Sequence, residues 1–245
     1  MNQEVRHISS PKVDKAMRLA EQQLARRVPS IVPAFRPDGS AFDLVNPKAA
    51  DIDFADMANA LSKIARFNGI YRCAAYSVAQ HSVMGADAIF RETGDSVLAG
   101  YFVLHDGHEY PFGDVTRPAV DLIQHWVAKL AAAANLDRPE FIDKLVHRAI
   151  GEVKRCIDLA IYEAAQLPDI TRMPLYVRQV KDMDDRMLVA EALALFGPNA
   201  DARCIPKGLK PPRITGAIEP WGAMKAEIAF LDRLERYLGI VVRAA

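Results

Sequence analysis

The chain has no excess charge of either sign: Lys plus Arg and Asp plus Glu both total 31 of 245 residues. No general basic field therefore draws it toward nucleic acid or an anionic membrane, and an anionic substrate would have to be held by local groups. Cysteine is scarce. Cys73, Cys156 and Cys204 lie far apart with no CxxC pair, which argues against a disulfide framework or a thiolate zinc site and fits a reducing cytoplasm. No apolar run approaches the roughly 20 residues that span a bilayer, and the N-terminus lacks the apolar core of a signal peptide. The expectation is a soluble, cytoplasmic protein.

Strand signals are also nearly absent, whereas most longer segments repeat their apolar residues with helical spacing. With 51% hydrophobic and 25% charged residues, the composition is that of a globular chain with a substantial core. The reading is an all-α fold: an N-terminal extension over residues 1–35, a single helical domain over 36–240, and a closing helix. Val13 to Val28 forms a charged amphipathic stretch, and Ser30 to Pro47 reads as a loop or arm. Helices are predicted from Asp53 to Arg66, from Ser77 to about Glu92, from Ser96 to Glu109, and from Thr116 to Leu130. Further ones run from Asp137 to about Gln166, Met173 to Phe196, and Gly222 to Leu238. Tyr110 to Val115 is a loop, and Asn199 to Pro220, rich in Pro, Gly and Lys, is an ordered crossing loop.

Four of the six histidines lie between positions 81 and 125, and two of them occupy apolar helix faces. His81 shares a face with Val78, Met84, Gly85 and Ala88, and His105 with Leu98, Tyr101 and Phe102. Asp106 follows an eight-residue apolar run. A carboxylate there is costly to bury without a compensating cation, and no basic residue is at hand in the neighbouring sequence. Metal ligation resolves this, and mixed imidazole and carboxylate donors suit Mn, Fe, Co, Ni or Zn. On the Met173 to Phe196 helix, Asp184 and Glu191 interrupt the apolar face of Val177, Val180, Met187, Leu188 and Leu195. Asp182 and Asp185 instead share the charged face with Arg178, Lys181 and Arg186, so Asp184 is the buried carboxylate. Glu109, four residues after His105, projects near the same point and suits a general base or acid. Asp114 faces that pocket only if its loop folds back.

The order His81, then His105-Asp106, then Asp184 resembles the HD-domain phosphohydrolases, in particular the branch of bacterial 5'-deoxynucleotidases and phage dATP triphosphohydrolases. The likeness extends over Tyr76 to Ser82, His105 to Asp114 and Val180 to Asp184, and includes the pairs Arg66-Phe67 and Gly113-Asp114. Weaker likeness in Gly39 to Phe42, in Ala60 to Gly69 and in Trp221 to Leu238 brings its span to roughly residues 36–240. It implies one divalent cation (Mn, Co, Fe, Zn, Ni or Mg) on His81, His105, Asp106 and Asp184. It also implies that Glu109 assists the attacking water, Asp114 works near the scissile phosphate, and Arg66 contacts the substrate. Two departures concern substrate identity rather than metal binding: Ser40 stands where arginine is frequent, and Met183 replaces a small residue.

His108 lies within the HDxxE segment and is a candidate for substrate contact or for supporting a ligand; Lys181 is a candidate phosphate contact. His7, His125 and His147 lack acidic or cysteine partners at metal spacing and read as structural or surface residues, and Trp221 as core. The expected function is hydrolysis of a (deoxy)nucleotide phosphate ester, either a monophosphate or a triphosphate, with a small-molecule nucleotide as partner, no nucleic acid and no membrane; a homo-oligomer is compatible. The alternatives are a phosphodiesterase or phosphatase acting on a cyclic or signalling nucleotide, and a non-catalytic nucleotide-binding module. Loss of a ligand or of Glu109 would mark the last, and neither is lost.

Overall fold

The helical periodicity of the sequence is realised in a mostly helical molecule, seen in a computed structural model that describes residues 28–136 and 139–242. Its α-helices are α1 (Phe54–Leu61), α2 (Val78–Thr93), α3 (Ser96–Leu104), α4 (Glu109–Phe112), α5 (Arg117–Ala133), α6 (Pro139–Ile142), α7 (Leu145–Ala164), α8 (Pro174–Phe196) and α9 (Ala223–Leu238). The segment read as an arm contains a small antiparallel hairpin, β1 (Pro33–Phe35) with β2 (Ala41–Asp43). Ser40 is exposed in its turn. The Val13 to Val28 helix and His7 lie outside the described residues, apart from Val28. Among the described residues, no helix is long and apolar enough to cross a membrane.

α3 is the central element, with every residue from Leu98 to Leu104 buried. It packs against α2 and α9, while α8 lies across α2 and α3. Local chemistry fixes where these helices begin. The side chains of Asp53, Ser77 and Asp95 accept hydrogen bonds from N–H groups in the first turns of α1, α2 and α3, satisfying donors that the helix itself leaves unpaired. Close packing of α2 on α3 depends on Gly85, where an added Cβ would stand 2.1 Å from the Phe102 ring.

Helix boundaries differ from expectation: the predicted loop at Tyr110 is helical as far as Phe112, the helix predicted to end at Leu130 reaches Ala133, and three further changes have visible causes. The first helix ends at Leu61, and Arg66 sits in a separate 3₁₀ turn, Arg66–Gly69. Here Arg66 donates its N–H to the Tyr76 carbonyl and Ile64 accepts from Val78, so pairing with the approach to α2 replaces helical bonding. The helix predicted to reach Glu109 stops at Leu104 and resumes as α4, because Gly107 and Glu109 bond three residues back, to Leu104 and Asp106. The long helix beginning at Asp137 is split into α6 and α7, with Lys144 at φ 56°. Gln124 bridges that break: its amide donates to the Ile142 carbonyl and accepts from the Val146 N–H. Gln80 does the same for the crossing loop, donating to the Glu219 carbonyl and accepting from the Trp221 N–H.

Candidate metal centre

His81 projects from the first turn of α2 and is fully buried. His105 and Asp106 occupy the tight turn after α3, and Asp184 comes from the middle of α8. Gly107 lets that turn lie close to the core, since a Cβ there would meet the Leu104 carbonyl at 2.9 Å and Ile161 of α7 at 3.0 Å. Three of the predicted ligands, His81, His105 and Asp106, bring their ligand atoms within 4.8 Å of one another, and Asp184 approaches the two imidazoles. His81 Nε2 is 3.3 Å from His105 Nε2 and 3.7 Å from Asp106 Oδ2. His105 Nε2 is 3.2 Å from that same oxygen. Asp184 Oδ1 lies 3.6 Å from His81 Nε2 and 3.9 Å from His105 Nε2.

Both imidazoles are turned by hydrogen bonds on their other nitrogen. His81 Nδ1 lies 2.5 Å from Glu191 Oε1, and His105 Nδ1 lies 2.6 Å from the Phe102 carbonyl. A carbonyl oxygen only accepts, so His105 Nδ1 carries the proton; an ionised Glu191 imposes the same arrangement on His81. Each Nε2 lone pair then faces the shared point, as metal-ligating histidines are held by their outer partners.

Charge is also poised for a cation. Arg66 donates to Glu191 Oε2 at 3.1 Å through Nε and to Asp106 Oδ2 at 3.2 Å through Nη1, while its Nη2 is 4.0 Å from Asp184 Oδ1. A basic group thus does reach the buried carboxylates, contrary to the reading of the neighbouring sequence. One guanidinium against Asp106, Asp184 and Glu191 still leaves two negative charges. A divalent cation fits this deficit and the donor set. In its absence a proton substitutes: burial by itself would lower the His105 pKa, but Asp106 and Asp184 push it up to about 10. Burial likewise opposes ionisation of Asp106 and Asp184, yet the neighbouring imidazoles, together with Arg66 at Asp106, hold both below the usual carboxylate range. Glu191 is lowered too, the charges of Arg66 and His81 overcoming its burial.

Glu109 lies beside this centre, 4% exposed, with Oε2 lacking a hydrogen-bond partner. Burial, reinforced by the charges of Asp106 and Asp114, pushes its pKa up to about 9. Asp114 is partly buried; burial raises its pKa, with Arg66 opposing the rise and Asp106 adding to it. His108 is buried with Nδ1 2.9 Å from Asp158 Oδ1. Lys181 stands at the rim, half exposed, paired with Asp185 and 3.7 Å from Asp184 Oδ2. His125 and His147 are exposed, and His147 bonds Asp121. Trp221 is partly buried against the core.

Four contributors were not assigned roles from the sequence. Glu191 was visible as an interruption of an apolar face, seven residues and two turns after Asp184, but its grip on His81 was not. Tyr76 donates its hydroxyl to Glu191 Oε1 at 3.0 Å. Asp158 and Lys154, one turn apart on α7, had no local anomaly to mark them; the Lys154 charge helps offset Glu109, Asp114 and Asp158.

No family model matches the chain. An uncharacterized protein of Rhodobacter capsulatus is 36% identical to it over 168 residues, which make up 65% of this chain and 76% of that relative. With that identity and coverage, the chain belongs to the same protein family as the uncharacterized Rhodobacter capsulatus protein.

Proposed function

We propose that this chain is a metal-dependent phosphohydrolase of the HD-domain type that hydrolyses a phosphate ester of a (deoxy)nucleotide. The observation that carries the reading is the close grouping of His81 Nε2, His105 Nε2 and Asp106 Oδ2, with Asp184 Oδ1 3.6 and 3.9 Å from the two imidazoles and both Nδ1 atoms anchored behind them. A divalent cation there, Mn, Co, Fe, Zn, Ni or Mg, supplies Lewis acidity toward a phosphoryl oxygen and the attacking water.

The chain's own groups divide the remaining work. Glu109, buried beside the centre, holds or takes the proton of the attacking water. Asp114 acts beside the scissile bond. Arg66 Nη2 is the guanidinium nitrogen left to reach a phosphoryl oxygen, since Nε and Nη1 are engaged by Glu191 and Asp106. Lys181, half exposed beside Asp184, and Lys154, whose charge reaches Glu109 and Asp114, add positive charge for an anionic substrate. Such fixed charges stabilise the charge that develops during phosphoryl transfer.

The test is incubation of metal-reconstituted protein with panels of nucleoside mono- and triphosphates, separating orthophosphate from tripolyphosphate by ion exchange. Wild type should release one of them, and Glu109→Gln should be slower by roughly 10²–10⁴-fold, the usual contribution of a positioned acid or base. Absence of both products, or equal rates for the variant, contradicts the proposal.

A further inference from the structure

Among the described residues, three buried side-chain polar atoms have no hydrogen-bond partner, and two belong to sequence neighbours: His108 Nε2 and Glu109 Oε2. Both residues are 4% exposed. Leaving one such atom unsatisfied costs about 1–3 kcal/mol, so an adjacent pair calls for a common partner. A ring nitrogen of His108 and carboxylate oxygens of Glu109 and Asp106 lie within 4.8 Å of one another.

The surroundings of His108 repeat those of His81. Asp158 Oδ1 holds His108 Nδ1 at 2.9 Å, as Glu191 holds His81, leaving Nε2 as the uncommitted nitrogen. Asp106 makes its contacts with Arg66, His81 and His105 through Oδ2; Oδ1 takes part in none of them. We propose that Asp106, His108 and Glu109 form a second divalent-cation site, adjacent to the first and sharing Asp106 with it, with Asp158 orienting His108 and Glu109 ligating through Oε2, which leaves Oε1 for the proton of the attacking water. One imidazole and two carboxylates suit Mn, Fe, Co or Zn. Paired cations of this kind stand roughly 3.5–4 Å apart in two-metal centres. The inference rests on the first cation site proposed above and is independent of the substrate.

Metal-free protein is loaded with Mn²⁺, Co²⁺ or Zn²⁺, freed of excess ion by dialysis, and assayed for metal per chain by plasma mass spectrometry. Wild type should hold two ions and His108→Ala one. The Mn²⁺ form of wild type should show the paramagnetic resonance of a coupled pair, and His108→Ala that of an isolated ion. Asp158→Asn keeps the side-chain volume and should weaken the second ion by about 10–100-fold while leaving the first. One ion in wild type with all three metals, lost in His81→Ala, overturns the second site and leaves the first standing. Two tightly held ions in His108→Ala also overturn it. No ion in wild type overturns both sites.

Discussion

Glu191 Oε1 lies 2.5 Å from His81 Nδ1, and neither side chain has any exposed surface. The carboxylate fixes the tautomer that presents Nε2 to the other three ligands. Glu191→Gln keeps the shape but offers a neutral amide in place of the anion. Divalent-cation affinity should fall by about 10–100-fold, the typical cost of losing an outer partner of a metal ligand. Isothermal titration of Mn²⁺ into metal-free wild type and variant checks this; equal affinities would show that Glu191 acts on packing alone.

Arg66 bonds both Glu191 and Asp106. Arg66→Ala should therefore destabilise the metal-free protein by about 3–5 kcal/mol, because it strands buried negative charge. Adding Glu191→Gln to Arg66→Ala should recover part of that loss, since the two residues form one network. Urea unfolding of the two single variants and the double variant measures the coupling; strictly additive losses would refute it.

The pH dependence of the metal-free protein follows from two groups that bind protons more tightly when folded. The Glu109 pKa rises from its usual 4.5 to about 9, through burial and then the charges of Asp106 and Asp114. The His105 pKa rises from 6.5 to about 10, Asp106 and Asp184 overcoming its burial. A raised folded pKa gives stability that is fully present below the unfolded value and is lost as pH climbs through the folded one. The Tm of chelator-treated protein should therefore fall from about pH 4.5 to pH 10, through Glu109 alone at first and through both groups above about pH 6.5. Cation affinity should rise between about pH 6.5 and pH 10 as His105 gives up its proton. Thermal melts in buffers across that range, with and without Mn²⁺, test both trends; a chelated Tm that stays level or climbs contradicts the assignment.

How much of this was legible in the sequence depended on whether a residue broke a local pattern. His81 and Asp184 were found because each puts a polar group on an otherwise apolar helical stripe; Asp182 pairs with Arg186 and Asp185 with Lys181, but Asp184 is only partly buried and no more so than Asp185, contrary to the expectation from helix phase. Asp106 stood out because it follows the apolar run of α3. Asp158 broke nothing: on a strongly amphipathic helix it resembles any other polar-face carboxylate, and only the tertiary packing of α7 brings it to His108, 50 positions away. Arg66 was located, but its in-chain partners were hidden, because Glu191 is 125 positions distant. The breaks after Leu104 and before α7 were illegible for a related reason. Helical spacing runs through both, and the bonds that terminate or bridge the helices come from tight backbone turns and from the distant Gln124. The hairpin at Pro33–Asp43 was missed because its strands have three residues each, too few for alternation to register.

The central claim is that a divalent cation on His81, His105, Asp106 and Asp184 supports hydrolysis of a nucleotide phosphate. The most direct measurement is a titration of Mn²⁺ into metal-free protein at fixed nucleotide, following cation occupancy and phosphate release in the same samples. The account predicts no release in chelator, release that tracks occupancy in wild type, and none at any Mn²⁺ concentration in His105→Ala. Full-rate release in chelator, or a fully occupied wild type inert toward every nucleoside mono- and triphosphate, would contradict it.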